Sequence, residues 1–300
     1  MSRKRQPNPP DPSSWDIEKP AINCSESSPV EVEPFTYRRE ERSQFDMHYC
    51  LELGVVLEGN MERHYLTYER GYKAGQVWLC GMWEPHGWGV RKPPCRVAVF
   101  FLHPPLLAHT HFTQVEGINW MAPFSAMPQE RPQVPDARLP EAIALARSAL
   151  DSPFTTPSAR KIALHLKVLE ILLILVESWQ SAASPRKWSG RELDCLGRAM
   201  QLAQQTPGLI TTREAAERCG INRNALSRLF VEYVGLSFAE FALRNRVSSA
   251  AVQLKSSEEP IKAIASQWGF ADPSHFHRCF VKYYGSSPTD YRAGGRRRHP

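Results

Sequence analysis

A duplicated pattern of two helices around a glycine turn fills the last eighty residues of this 300-residue chain. Residues 222–235 match residues 272–285 with a shift of fifty, and the matched pairs are Leu226 and Phe276, Arg228 and Arg278, Phe230 and Phe280, Tyr233 and Tyr283, and Gly235 and Gly285. In each copy the apolar members share one helix face, and the Arg lies off that face. The repeat predicts an all-helical C-terminal domain built from two helix-turn-helix units.

Capping residues fix the phase of these helices. Asn222 and Asp272 can each accept a hydrogen bond from the free amides at the start of the second helix of their copy. Pro273 then takes the first helical position, where a missing amide proton costs nothing. Two further capping boxes open other helices of the domain: Thr211 with Glu214, and Ser237 with Glu240.

The helix that joins the two copies sets the distance between them. A helix from about Phe238 to Lys255 would be roughly 27 Å long at 1.5 Å per residue. Successive major-groove openings on one face of B-DNA are roughly 34 Å apart. One chain is therefore expected to place two recognition helices in adjacent grooves.

Each predicted recognition helix turns polar side chains outward once its apolar face is buried. These are Arg223, Asn224, Ser227 and Arg228 in the first copy, and Ser274, His277 and Arg278 in the second. Arg can pair bidentately with guanine and Asn with adenine, while Ser and His reach a base edge or a phosphate. The chemistry of this face therefore indicates DNA reading.

Residues 192–293 resemble the AraC/XylS family of bacterial transcription regulators. The resemblance rests on the run 261–270, on Phe276, Arg278 and Phe280, and on the Gly285, Pro288, Tyr291 and Arg292 pattern. It implies a double helix-turn-helix domain that follows a ligand-sensing or dimerising domain. It also implies base contacts at Asn224, Ser227 and Arg228 in the first unit, and at Pro273, Ser274, His277 and Arg278 in the second. Pro273 departs from the polar residue often found at its position.

Charge is concentrated in the same part of the chain. Residues 191–300 carry sixteen Lys and Arg against ten Asp and Glu, whereas residues 1–190 carry twenty-one of each. Such a surplus supplies sequence-independent attraction to phosphate. The basic tail, residues 294–300 with Arg296, Arg297 and Arg298, is open to two interpretations, added phosphate contacts or a frayed terminus.

Composition predicts two soluble domains in a reducing compartment. The seven cysteines form no CxxC pair, which favours free thiols in the cytoplasm over a disulfide framework or a zinc site. The start of the chain lacks the apolar segment of a secretory signal. The longest apolar run, 171–176, is too short to span a bilayer.

The N-terminal arm, residues 1–34, is rich in proline and is predicted to be mostly disordered. A regulatory arm that folds over a ligand is the alternative, and Trp15, Ile17 and Ile22 would anchor it. Residues 35–139 change to short alternating strands and glycine turns. Leu51, Leu53, Val55 and Leu57 alternate at period two, and a turn at 58–60 leads to a partner strand at 61–68. This texture predicts a small antiparallel β-barrel.

The order of His48, Glu52, Gly59, Gly75 and His86 resembles the metal motifs of the cupin fold, with Asp46 where the first histidine usually stands. Asp46, His48, Glu52 and His86 would then form a set suited to iron, manganese or zinc. The alternative, which we adopt, is a metal-free pocket without a cofactor. There His48, Glu52 and His86, with Trp83 and Trp88, bind a small-molecule effector, for example a sugar. Both tryptophans have a second interpretation, as barrel core.

Two helices follow the barrel, at about 141–150 and 158–180, and residues 140–181 are interpreted as a dimerisation segment. The second helix is apolar on several sides: Ile162, Leu166, Leu169, Leu173 and Val176 form one stripe, and five other residues cover much of the rest. Such a helix must bury more than one face. One face would cover the barrel; the other would meet a second subunit or lie in a large monomeric core. A linker at 182–190 then leads to the DNA-binding domain at 191–293.

Two functions from different classes remain. The first is a one-component transcription regulator, an activator in our interpretation, that senses an effector, dimerises and binds promoter DNA, with RNA polymerase as a further partner. The second is an enzyme, either a metal-dependent cupin or a DNA-modifying protein that carries this DNA-binding domain. The incomplete metal set and the lack of a catalytic cysteine signature favour the regulator, so we expect no enzymatic activity and no membrane partner.

Overall fold

The computed structural model describes residues 25, 27–43, 46–66, 68–110, 112, 118–177, 179, 189–206 and 208–296. The anchors expected for the N-terminal arm, most of the linker 182–190 and the last four residues of the basic tail lie outside these ranges. Within them, no helix has both the length and the apolar character needed to cross a bilayer.

The N-terminal domain consists of two antiparallel sheets. The strands are β1 (Val30–Tyr37), β2 (Glu41–Arg42), β3 (Leu51–Glu58), β4 (Asn60–Tyr65), β5 (Glu69–Lys73), β6 (Val77–Cys80), β7 (His86–Val90) and β8 (Cys95–Leu102). The first sheet has the order β1-β8-β3-β6 and the second the order β2-β7-β4-β5. The antiparallel fold is as predicted, but the expected closed barrel is corrected to two separate four-stranded sheets.

The corner at Gly59 explains this correction. The predicted turn between β3 and β4 is present, and Gly59 has a φ of +77°. A Cβ on this residue would lie 2.2 Å from the carbonyl oxygen of Pro94, so only glycine fits. The turn carries the chain from one sheet to the other instead of making a hairpin. The expected pairing of β3 with the strand after the turn is therefore wrong, since β4 pairs with β5 and β7.

The first sheet is buried on both faces. Leu51, Leu53 and Val55 belong to the core that this sheet shares with the helices, whereas Val56 belongs to the core between the two sheets. Side chains in β3 alternate between the two faces of the strand as predicted, but both faces are buried. Gly54 allows this packing, because a Cβ there would lie 1.9 Å from the ring of Trp78.

The first strand begins earlier than the domain boundary at residue 35 suggests. Val30–Tyr37 pairs along its full length with Leu102–Cys95 of β8. Residues 30–34 of the expected arm are therefore part of the sheet. Proline is tolerated at Pro34 because β1 is an edge strand and needs to donate in one direction only.

Four helices cover the outer face of the first sheet: α1 (Pro104–His109), α2 (Ala122–Ser125), α3 (Leu139–Leu150) and α4 (Pro157–Glu177). Trp120, Met121 and Phe124, which lie between α1 and α3, are buried. In α4, Val168, Ile171, Leu172 and Leu175 are fully buried. Of the predicted stripe, Leu169 is buried in the same core and Val176 packs against it, whereas Ile162, Leu166 and Leu173 are 61%, 53% and 47% exposed.

The C-terminal domain is entirely helical, as the repeat predicts. Its helices are α5 (Gly190–Gln205), α6 (Thr212–Arg218), α7 (Arg223–Val234), α8 (Phe238–Ser256), α9 (Ile261–Gln267), α10 (Pro273–Tyr284) and α11 (Pro288–Arg296). Helices α6 and α7 form the first helix-turn-helix unit, α9 and α10 the second, and α8 joins them. The capping box of Thr211 with Glu214 is present, and Ser237 caps α8 through the amide of Glu240.

The two units differ in what they are packed against. The first unit and the start of α8, as far as Ala242, belong to one continuous apolar core with the first sheet and its covering helices. The second unit packs with the end of α8, from Val247 onward, in a core of its own. The boundary between these cores falls inside α8.

Candidate functional site: a double recognition surface and a buried polar cluster

The first recognition helix is α7. The Asn222 side chain accepts a hydrogen bond from the amide of Ala225 at 2.8 Å and caps the helix. Leu226, Leu229 and Phe230 are buried. The predicted reading residues lie on the opposite side, where Arg223, Asn224 and Arg228 are exposed and Ser227 is half-buried.

The second recognition helix, α10, has the same design with a stronger cap. Asp272 accepts hydrogen bonds from the amides of Ser274 at 2.9 Å and His275 at 3.1 Å, which lower the pKa of its carboxyl group. The carboxylate of Asp272 also lies 3.8 Å from a guanidinium nitrogen of Arg278. All four residues predicted to face DNA here, Pro273, Ser274, His277 and Arg278, are exposed.

The polar cluster of the N-terminal domain is centred on Glu52. Its Oε2 lies 3.3 Å from Nε2 of His48 and 3.2 Å from Nε2 of His86. Its Oε1 accepts hydrogen bonds from Arg63 at 2.7 Å and from the indole of Trp78 at 2.6 Å. Three of the five predicted effector-site residues, His48, Glu52 and His86, therefore do meet, and all three are buried.

The two imidazoles are held in the same way. Nδ1 of His48 lies 2.8 Å from the carbonyl oxygen of Cys50, and Nδ1 of His86 lies 2.7 Å from that of Glu84. A carbonyl oxygen only accepts hydrogen bonds, so each Nδ1 carries a proton. The lone pair of each Nε2 can then bind a second proton or a metal cation. Asp46 adds a carboxylate oxygen 2.8 Å from Nε2 of His86.

Charge in the cluster is balanced internally. Burial favours the neutral form of Glu52, but Arg63 and His86 hold the pKa of this carboxyl well below its usual range. Burial likewise opposes protonation of His86, yet Asp46 and the other acidic neighbours hold its pKa well above the usual range. The donor set also fits a divalent metal: the ligand atoms of Asp46, His48 and His86 lie within 4.8 Å of one another.

The two predicted tryptophans do not make ring contacts with this cluster. Trp83 is buried in the core shared with the helices, where its ring lies 5.1 Å from Tyr49 and 5.5 Å from Phe241. The ring of Trp88 packs in a tilted arrangement on the ring of Tyr37, with centroids 4.3 Å apart. Both rings lie beside the core between the sheets.

Arg63, Trp78 and Cys80 are the cluster residues that sequence reasoning missed, and the Cys80 thiol lies 3.4 Å from a guanidinium nitrogen of Arg63. The sequence does contain a signal for Arg63, because it lies two residues from Met61 and from Tyr65 in β4 and therefore points inward with them. A charged residue in an inward position needs a buried partner.

Comparisons with known proteins bear on the C-terminal domain. A family model described as a helix-turn-helix domain matches residues 215–294. An uncharacterized HTH-type transcriptional regulator of Haemophilus influenzae is 35% identical over 79 residues, which are 26% of each chain. The arabinose operon regulatory protein of Escherichia coli is 33% identical over 79 residues, 26% of this chain and 27% of its own length. The aligned part thus spans about a quarter of these relatives.

Among solved structures, unsaturated fatty acid bound ToxT from Vibrio cholerae is similar with a TM-score of 0.49 at 14% identity, over 88% of this chain and 94% of that one. The geometry and the matched residues define the C-terminal part as a duplicated helix-turn-helix domain. Over these residues the chain is similar to regulators of the AraC/XylS family, as the sequence motifs predict.

Proposed function

We propose that this chain is a sequence-specific, DNA-binding transcription regulator whose N-terminal domain responds to a small molecule. The observation that carries the proposal is the pair of exposed recognition faces on α7 and α10, joined by the 19-residue helix α8. At 1.5 Å per residue α8 is about 28 Å long, close to the roughly 34 Å between groove openings on one face of DNA. The positive surplus of residues 191–300 supports contact with phosphate.

Selection from a randomised duplex library tests DNA reading directly. The full chain should enrich two short sites about ten base pairs apart, with affinity that falls as salt rises. Replacing Asn224 and Arg228 together by Ala should abolish enrichment of one site and keep the other. Enrichment of no site, or binding that is blind to sequence, would contradict the proposal. At a promoter, contact with RNA polymerase in the cytoplasm would convert such binding into activation.

A path from the polar cluster to the first unit supports regulation. The amide of Trp83 donates a hydrogen bond of 2.7 Å to the carbonyl oxygen of His48, and the Trp83 ring packs on Phe241 at the start of α8. Trp83 is held at a φ of +50°, which is unusual for any residue but glycine. A change at His48 would therefore reach α8 through one strained residue.

We assign the effector to the cluster of His48, Glu52 and His86, whose chemistry suits a small polar molecule such as a sugar. Binding to the folded state alone raises the melting temperature, because stabilisation grows as RT ln(1 + [L]/Kd). A compound found by thermal screening should lose its effect in His86→Ala. The control is His165→Ala, since His165 lies on α4 and bonds to Thr110. Full binding by His86→Ala would place the pocket elsewhere.

A homodimer formed through α4 completes the proposal. Ile162, Leu166 and Leu173 present a row of half-exposed apolar side chains on the side of α4 that faces away from the sheet. Apolar rows of this kind on a soluble domain mark interaction sites. A second copy of the chain would bury this row against its own.

The alternative function is a metal-dependent enzyme, and the donor set of Asp46, His48 and His86 is the observation that favours it. A two-histidine, one-carboxylate set suits ferrous iron with open coordination positions. Metal analysis of the purified chain distinguishes the two functions. Stoichiometric iron that disappears in His48→Ala would favour the enzyme, and metal-free protein that still binds its DNA sites would favour the regulator.

A further inference from the structure

The structure assigns a positioning role to two neighbouring residues of α8: we propose that Asn245 and Arg246 lock the two helix-turn-helix units together and so set the spacing of the two DNA sites. This inference rests on the proposed function, because spacing has meaning only if both recognition helices read DNA. Both side chains are polar and both are buried, with 6% exposure each.

Asn245 ties α8 to α5, the helix that packs on both helices of the first unit. Its side-chain amide donates a hydrogen bond of 3.0 Å to the carbonyl oxygen of Ala203, in the last turn of α5. Carbonyls in a last turn have no partner within their own helix. Asn245 thus satisfies a backbone group of the part of the domain that shares its core with the sheets.

Arg246 ties the same point of α8 to the second unit. Its Nη1 donates to the carbonyl oxygens of Trp268 at 3.3 Å and Gly269 at 3.1 Å, in the turn between α9 and α10. Its guanidinium also lies 4.7 Å from the ring centroid of Phe270. Burial lowers the pKa of Arg246, and within the described part of the chain no carboxylate is among the causes of that shift.

A third contact joins the units without side chains. Gly269 has a φ of +72°, and a Cβ on it would lie 2.7 Å from the amide nitrogen of Leu209 and 2.9 Å from Gly208. The turn of the second unit therefore sits directly on the backbone of the loop that precedes α6. Arg246 holds the turn in this position from the other side.

These contacts lie where the two apolar cores end. The first core ends at Ala242 and the second begins at Val247, so the apolar packing of one does not fix the orientation of the other. A buried charge on two carbonyls is a costly way to gain stability, whereas directional hydrogen bonds specify one orientation. Asn245 and Arg246 therefore fix the relative orientation of the two units, and this orientation sets the positions of α7 and α10 on DNA.

Spacer-variant duplexes test the lock. Each base pair added between the two sites moves the second by 3.4 Å and turns it by about 35°. The full-length chain should lose at least about tenfold in affinity for a one-base-pair change, comparable to spoiling one base contact. In Arg246→Met, which keeps the apolar stem, the loss should shrink to about threefold or less, while affinity for the first site alone stays unchanged.

Further variants separate positioning from folding. Asn245→Ala should relax the spacing preference in the same way, and Arg246→Lys should restore part of it. Arg198→Met removes an exposed charge from α5 and should keep the wild-type profile. Circular dichroism checks the fold of each variant. If Arg246→Met does not fold, the spacing profile of Asn245→Ala decides whether the lock exists.

Two outcomes would overturn the inference in distinguishable ways. A wild-type spacing profile in both Arg246→Met and Asn245→Ala refutes the lock and leaves the proposed function standing. A wild-type chain that is itself indifferent to spacing refutes reading by two helices, and the lock falls with it.

Discussion

Replacing Arg63 by Met should be among the most damaging single changes in the N-terminal domain. The guanidinium lies 2.7 Å from Oε1 of Glu52, and both side chains are at most 6% exposed. Met keeps most of the apolar stem and removes the charge, so the variant leaves the buried Glu52 carboxylate with His86 as its remaining cationic partner. Breaking a buried pair from one side costs about 3–5 kcal/mol.

A surface pair provides the control. Arg91 lies 2.8 Å from Glu62, but its side chain is 69% exposed. Exposed pairs contribute about 0–1 kcal/mol, so Arg91→Met should leave stability nearly unchanged. The pairs have almost the same length, and the comparison therefore isolates burial.

Urea unfolding at neutral pH, followed by circular dichroism, measures both variants. Arg63→Met should lower the free energy of unfolding by about 3–5 kcal/mol, and adding Glu52→Gln should recover part of that loss because the carboxylate that lost its guanidinium partner is then removed. Equal losses in Arg63→Met and Arg91→Met would refute the argument that burial makes the difference.

Three other predictions concern the surfaces. Leu166→Glu with Leu173→Glu should convert dimers into monomers in sedimentation experiments, and a native chain that is monomeric at micromolar concentration would contradict the α4 interface. Arg228→Ala should cost about 1–3 kcal/mol in DNA binding and relax one base position. Arg278→Ala should do less, because Asp272 already holds Arg278; equal, sequence-blind losses would argue against base reading. The pKa of Asp272 is lowered in the folded chain. The contribution of Asp272 to folding stability is therefore present above its unfolded pKa of about 3.9, and it is lost as the pH falls through the folded pKa. In acid unfolding experiments, the free energy of unfolding of Asp272→Asn should therefore change less with pH over that window than that of the wild type.

The helical domain could be predicted closely because its signals are local. Caps such as Asn222 and Asp272 act within one turn, and the fifty-residue repeat supplied the same evidence twice. The joining helix was expected to end at Lys255 and ends at Ser256. In each case the residues that decide the structure lie within a few positions of the element they define.

The sheets were harder to predict because strand pairing is decided at long range. The turn at Gly59 gives the same local signal whether β3 and β4 pair or separate, and contact with Pro94 decides between them. The early start of β1 depends on its pairing with β8, in which Val30 lies opposite Leu102, seventy-two residues away.

The candidate site could be predicted in part. His48, Glu52 and His86 were found through their order in the chain, and the structure brings them together. For Trp83 the sequence leaves two interpretations, and its burial against Phe241 of α8 favours the core, a long-range contact that no local pattern reports. The predicted readers of α7 and α10 are exposed apart from the half-buried Ser227, and their contacts with DNA stay a prediction.

The division of the apolar cores has a consequence for how the protein comes apart. Sequence would place the weakest point at the linker 182–190, between the N-terminal and helical domains, but the core crosses that boundary and ends near Ala242. Under mild denaturation the second unit, from about Val247 onward, should therefore exchange its amide protons first as one cooperative block. The first unit should exchange together with the sheets, so that half of the helical domain unfolds with the N-terminal domain and half without it.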